Sequence, residues 1–437
     1  MKIFSKKALK RIGIVGGAVI AILLIANAIW VWRTGSRLEE KLAALRAEGE
    51  PLSLADLARK PIPPETNAAV FLRRARSDLE AINNNELFDV YSSDDYEEGR
   101  PSESELKTIR SVLETYPKII PLLQQAAACP DYDPQADYTV APQAFLAEHL
   151  DRISDPRFVA RVLRARVLLL LSQGKREEAL RTCITMFRLC RHFDHEPLMV
   201  GYLVSVACRH VAVEATNLVL RAGPLPKDSR EALEAELALH DGAEAYKHAL
   251  QTERAYGLDC LRTMPGRGFW LVSRALWNDA TCYYLDMIDR QLAAVPLPYP
   301  DVIATTPATT PHRFGFRVLT DLAEPAIAVG RAAMERTRAT IRCLRVLNAL
   351  QARPEQAGAE MPKLADLGLP AAATTDPFAG KPLHLKKLPV GWLVYSVGKD
   401  LKDDGGDFTE ARDVGVGPPQ PPPTSKSTAE DAEARRG

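Results

Sequence analysis

No CxxC pair, no HExxH helix, no GxSxG elbow and no phosphate-binding glycine loop occurs in these 437 residues. Their absence removes the redox dithiol, the zinc-protease helix, the hydrolase nucleophile turn and the nucleotide-phosphate cradle from consideration. Basic and acidic side chains balance at 56 each. Beyond the opening lysines there is no basic tract, so nucleic acid is not an expected partner. Seven cysteines make an odd set. Cys183 and Cys190 share a predicted helix face but stand about 10 Å apart by helical rise, beyond disulfide reach. The cysteines read as small buried hydrophobes, with one or two long-range bridges left open for an exported chain.

What is present begins with Ile12 to Trp32, 21 residues without a charge between Arg11 and Arg33. About 20 apolar residues suffice to cross a bilayer as a helix. Lys2, Lys6, Lys7, Lys10 and Arg11 precede the run, whereas Arg33 and Arg37 are mixed with Glu39 and Glu40 after it. The positive-inside rule therefore expects a single-pass signal-anchor in a bacterial inner membrane, N-terminus in the cytoplasm and bulk outside it. Trp30 and Trp32 would lie at the outer interface. A cleaved signal peptide ending near Ala26-Asn27-Ala28 is the competing reading, and the extra length of the apolar run favours the anchor. Gly13 and Gly17 form a GxxxG pair that could serve a homodimer, although small residues are common in membrane helices.

Downstream, the periodicity expects a mainly α protein. Residues 1–11 form a basic cytoplasmic segment, 12–32 the transmembrane helix and 33–60 a stalk, with Leu38, Leu42 and Leu45 on one stripe. Residues 61–352 form a helical extracytoplasmic domain of αα-hairpins. Asn67 is an expected N-cap, Ser102 with Glu105 and Asp228 with Glu231 are expected capping boxes, and Asp89 to Glu98 an acidic loop. The strongest helical signal lies between Asp155 and Met264, where Gly174 ends one helix and Pro197 sits at the first position of another. The turn around Gly174 is tetratricopeptide-like, but no recurrence near 34 residues supports a regular array. Pro296 to Pro311 reads as an exposed loop, and Pro325 should kink or split the helix from Arg317 to Ala352. Residues 361–412 are expected to hold a small β-hairpin, Leu383 to Lys387 with Trp392 to Ser396, followed by an acidic loop. Residues 413–437 read as a disordered tail.

Asp376-Pro377-Phe378-Ala379-Gly380-Lys381-Pro382 opens that hairpin, Tyr395-Ser396-Val397-Gly398 closes it, and Asp403-Asp404-Gly405-Gly406-Asp407 follows. This order resembles the C-terminal segment of the major pseudopilins of type II secretion systems. The resemblance covers residues 376–407 and implies a calcium-holding loop and, more remotely, an accessory role in such a system. The chain departs from the family in lacking a prepilin-peptidase site at its apolar run. As a whole it resembles a class of uncharacterised bacterial membrane-anchored helical proteins, through Pro63-Pro64-Glu65-Thr66-Asn67-Ala68-Ala69, the helices around Arg191 to Cys208, Glu253-Arg254 and the Asp-Pro-Phe hairpin. That likeness implies architecture and no mechanism.

Two groups of residues could carry chemistry. Asp400, Asp403, Asp404 and Asp407 are hard oxygen donors in a glycine-rich loop, suited to calcium, although their spacing is not that of an EF-hand and equally fits an ordinary turn. His192 and His195 lie three apart beside Cys190, Asp194 and Glu196. They would be the start of a zinc site if a distant third ligand joined them, yet histidine is also favoured at a helix C-terminus by the dipole alone. The sequence thus favours an interaction or scaffold protein of the cell envelope, with a metal-dependent envelope hydrolase as the alternative.

Overall fold

In the computed structural model, which describes residues 6–263, 273–305, 318–352, 361–409 and 412–418, the first helix, α1 (Lys6–Ala47), runs unbroken for 42 residues. Its first half bears exposed apolar side chains, Ile14 to Trp32, and among the described residues nothing lies within 4 Å of where a Cβ on Gly13 or Gly17 would sit. This half is a candidate membrane span by length and composition. Its second half is no free stalk. Leu42 and Leu45 are buried with Leu52, Leu258 and Leu285, and Lys41 and Arg37 both bind Asp286.

After a 3-10 turn at Leu54–Leu57 comes α2 (Ala68–Ala81), capped by the fully buried Asn67. The Asn67 side chain accepts from the Ala69 and Asp133 amides and donates to the Asp133 carbonyl, so one N-cap also ties a distant loop. The expected acidic loop contains two short helices, α3 (Phe88–Tyr91) and α4 (Asp94–Glu97), because Val90 and Tyr96 are buried. Helix α5 (Glu103–Thr115) has the Ser102–Glu105 capping box. Pro121 lies in the first turn of α6 (Ile119–Ala128), where the missing N–H costs nothing.

Helices α7 (Pro142–Arg152), α8 (Asp155–Ser172), α9 (Arg176–Phe193) and α10 (Leu198–Arg221) build the main core. Gly174, at φ +73°, ends α8, and the Lys175 and Gly174 amides satisfy the Leu170 and Leu171 carbonyls. Although α10 is also long and apolar enough to cross a membrane, it is mostly buried in this core. Pro197 is its N-cap rather than its first residue. Helix α11 (Lys227–Ala238) starts at Lys227 after Pro226, with no side-chain cap, so the expected Asp228–Glu231 box does not form.

Helices α12 (Glu244–Thr263) and α13 (Ser273–Ala294) cross α1 and α10. The link expected as a loop holds α14 (Tyr299–Thr305), held by Tyr299 packing edge-on to Phe378. Helix α15 (Val318–Leu350) continues through Pro325 without splitting. The hairpins therefore do not repeat in length: α8, α9, α10 and α12 have 18, 18, 24 and 20 residues.

The expected hairpin is a three-stranded antiparallel sheet in the order β1 (His384–Leu388), β2 (Gly391–Ser396), β3 (Val414–Val416). The third strand lies in the segment expected to be disordered. It is ordered because Val414 and Val416 are buried against the core and Val394 pairs with Val416. Residues 419–437 of that expected tail lie outside the described residues. All seven cysteines are free, six of them buried, so no long-range bridge forms.

Candidate functional site

A polar cleft opens where the chain leaves α1 and turns toward α2. Two adjoining cavities of about 680 and 520 Å³ share Arg59, His248 and Gln251. The first wall is the turn Glu50 to Arg59, strapped to α12. Glu50 accepts from Gln251 and Arg254, Asp259 accepts from the Leu54 amide at 2.7 Å, and Arg262 donates to the Leu52 carbonyl at 2.8 Å.

The second wall is the α9–α10 corner. Asp194 accepts from Ser205 Oγ at 2.6 Å and from Arg209 at 2.5 Å. Arg209 is wholly buried, and its Nε donates to His240 Nδ1 at 3.0 Å. That donor leaves His240 Nδ1 as acceptor, so Nε2 carries the proton facing Glu236, which also binds Arg188 and Arg191. Burial holds the His240 ring below its ordinary pKa. This buried chain of charge locks the corner, and each member has its partner.

Inside the cleft the exposed Arg59 and Lys247 have no ion-pair partner among the described residues, and Glu244 likewise stands alone. His195 faces His248, ring centroids 6.4 Å apart. Burial and then the Arg59 charge push His248 down to about 4, so it is neutral at physiological pH. The cleft therefore offers two uncommitted cations beside neutral imidazoles, an arrangement suited to recognising an acidic group. Sequence reasoning singled out His195 but not Arg59, Lys247 or His248, which the α1–α2 turn and α12 bring together.

His192 turns elsewhere. It is buried near the Tyr132 ring, at 6.0 Å, and burial holds it down to about 4. Glu196 lies in a third environment. It accepts from Tyr132 Oη, and its second oxygen is 3.4 Å from His149 Nδ1 in a site that buries all three. Burial raises the Glu196 carboxyl and pushes His149 down to about 4. Gly201 makes room there, since a Cβ would meet Glu196 Cβ at 3.0 Å and His149 Nε2 at 3.2 Å.

The C-terminal acidic residues are engaged in the backbone of their own turn. Asp400 accepts from the Lys402 amide, Asp403 from Tyr395 Oη and the Gly405 amide, and Asp407 from Thr409. Asp404 donates its amide to Asp413, a residue the sequence reading passed over, which also takes the Gly406 amide at 2.6 Å. The Asp-Pro-Phe motif is explained by Asp376. Its buried carboxylate accepts from the Phe378 amide, Ser396 Oγ and the Val397 amide, tying the strand entry to the strand exit. Among the described residues no group of three or more His, Cys, Asp and Glu side chains is placed to hold a metal ion. No protein-family model, curated protein or solved structure matches this chain.

Proposed function

We propose that this protein is a membrane-anchored interaction protein of the bacterial cell envelope, using the cleft around Arg59 and Lys247 to engage an acidic segment of a partner. The opening lysines orient it with the N-terminus in the cytoplasm and the folded body outside the inner membrane. The observation that carries the reading is the single helix α1, apolar and exposed over its first half and packed onto the body over its second. Ala47 lies about 22 Å beyond Trp32 along the helix axis. The cleft at its end is thereby held clear of the headgroups, within reach of a soluble or envelope partner.

The test is affinity capture from crosslinked membranes, comparing the full chain, an anchor-only control and the double variant Arg59→Glu/Lys247→Glu. An envelope protein should be recovered with the full chain and lost about tenfold with the double variant, as expected for two charge-assisted contacts. Recovery equal to the anchor-only control, or insensitive to the double variant, would overturn the reading.

A further inference from the structure

At the opposite end of the packed half of α1 lies a third cavity, of about 730 Å³, between α1 and the first turns of α13. Its composition changes along the helix. Leu24, Ala28, Val31 and Trp32 form an apolar wall from the last turns of the candidate span. Ser36 and Glu39 on α1, with Asn278 on α13, form a polar upper wall, and Arg274 lies one helical turn below Asn278, near the level of Trp30. The helical rise places Leu24 about 12 Å below Trp32 and Glu39 about 10 Å above it. A bilayer has an interfacial zone of roughly 5–8 Å on each side of its core, so the cavity straddles that boundary.

Within the lining the two helices approach each other at a small residue. A Cβ on Gly35 would touch Asn278 Nδ2 at 3.4 Å, and Asn278 donates to Thr34 Oγ1 at 3.4 Å. Arg274 is exposed and has no ion-pair partner among the described residues. Among the described residues Glu39 pairs with the exposed Arg46, a pair that water screens. Asn27 brings a polar amide into the apolar wall.

We infer that this cavity is a binding site for one phospholipid of the outer leaflet, with phosphatidylethanolamine as its preferred occupant. The proposal rests on the membrane-anchored reading. Acyl chains would lie along Leu24, Ala28 and Val31, and the Asn27 amide N–H would donate to a glycerol-ester carbonyl. Arg274 would take the phosphate, and Glu39 the ammonium. The opposed charges of Arg274 and Glu39 match a zwitterion whose cation carries N–H donors. Phosphatidylcholine has no such donor, and phosphatidylglycerol no cation.

The experiment is native mass spectrometry of the full-length protein in detergent with equal amounts of phosphatidylethanolamine, phosphatidylglycerol and phosphatidylcholine. One retained lipid is expected, with phosphatidylethanolamine favoured about tenfold, the size of one charge-assisted contact. Arg274→Glu should lower retention of every phospholipid, whereas Glu39→Gln should keep retention and erase the preference. Equal retention of the three lipids, or indifference to Arg274→Glu, overturns the proposal. Alkaline extraction of the same protein from phosphatidylethanolamine/phosphatidylglycerol vesicles separates the two readings. A protein that stays in the membrane without lipid preference sinks the cavity alone, and one that is extracted sinks the anchor and the cavity with it.

Discussion

Leu198, the first residue of α10, has φ +69°, a left-handed conformation that costs a non-glycine residue about 1–3 kcal/mol. Its amide donates to Thr252 Oγ1 at 2.9 Å, and its side chain is buried with Leu54 and Phe145. Glycine would relieve the backbone but remove a buried leucine, worth about 3–5 kcal/mol with its cavity. Burial wins, so Leu198→Gly should lower stability by about 2 kcal/mol in urea unfolding. A rise in stability would show that the strain is the larger effect. Asp376 makes a sharper case. Asparagine in its place would turn an N–H toward either the Val397 amide or the Ser396–Phe378 donors. Leaving buried donors unsatisfied costs about 1–3 kcal/mol each, so Asp376→Asn should destabilise the protein by at least that amount, whereas Asp400→Asn, in the exposed loop, should be near neutral.

The crossing of α12 and α13 depends on Gly257. A Cβ there would lie 2.2 Å from Tyr284 Oη, and that hydroxyl is fixed by donating to the Glu253 carbonyl at 2.7 Å. Alanine gains about 1 kcal/mol of helix propensity but overpacks the crossing by about 1–3 kcal/mol. Gly257→Ala is expected to be net destabilising, and Tyr284→Phe in the same chain should recover part of the loss, a coupling that a double-mutant cycle reads directly. Such crossings also mark what the sequence conveys. Local signals were legible: Asn67, the Ser102–Glu105 box, Gly174 and both strands of the hairpin announce themselves within a few residues. Asp228–Glu231 misled because Pro226 starts α11 first. Helix α14 and strand β3 were hidden because distant partners create them, Phe378 for one and Val394 for the other. The cleft was hidden for the same reason. His195 stood out as part of a dense run, but Arg59 and His248 are ordinary residues until the α1–α2 turn is laid against α12.

For the whole molecule, buried histidines set the response to acid. His149, His192 and His248 titrate near 4 when folded against 6.5 ordinarily, mainly through burial. Their folded state rejects the proton, so their stabilisation is complete above pH 6.5 and is lost as the pH falls toward 4. Asp155 opposes them. Burial raises it to about 6, so the folded state welcomes its proton and regains stability across the lower part of the same window. Each group changes the slope of stability by at most about 1.4 kcal/mol per pH unit. Melting curves between pH 7 and pH 4.5 should therefore show a shallower acid loss for His149→Gln than for the unaltered chain, and a steeper one for Asp155→Asn. Parallel curves for all three proteins would refute this assignment.

The union of α1 with α13 also dictates a timetable for synthesis. Lys41 finds Asp286 across 245 residues of chain, which takes a ribosome roughly ten to fifty seconds to add. For that interval Leu42 and Leu45 are born without the surface that covers them, while the α8–α9 hairpin, closed by near neighbours, can already fold. The sheet waits longer still, because β3 comes at Val414–Val416, about 130 residues after Asp286. A ribosome halted before Val414 would hold a helical body with an open strand edge, the form of this protein most prone to aggregation.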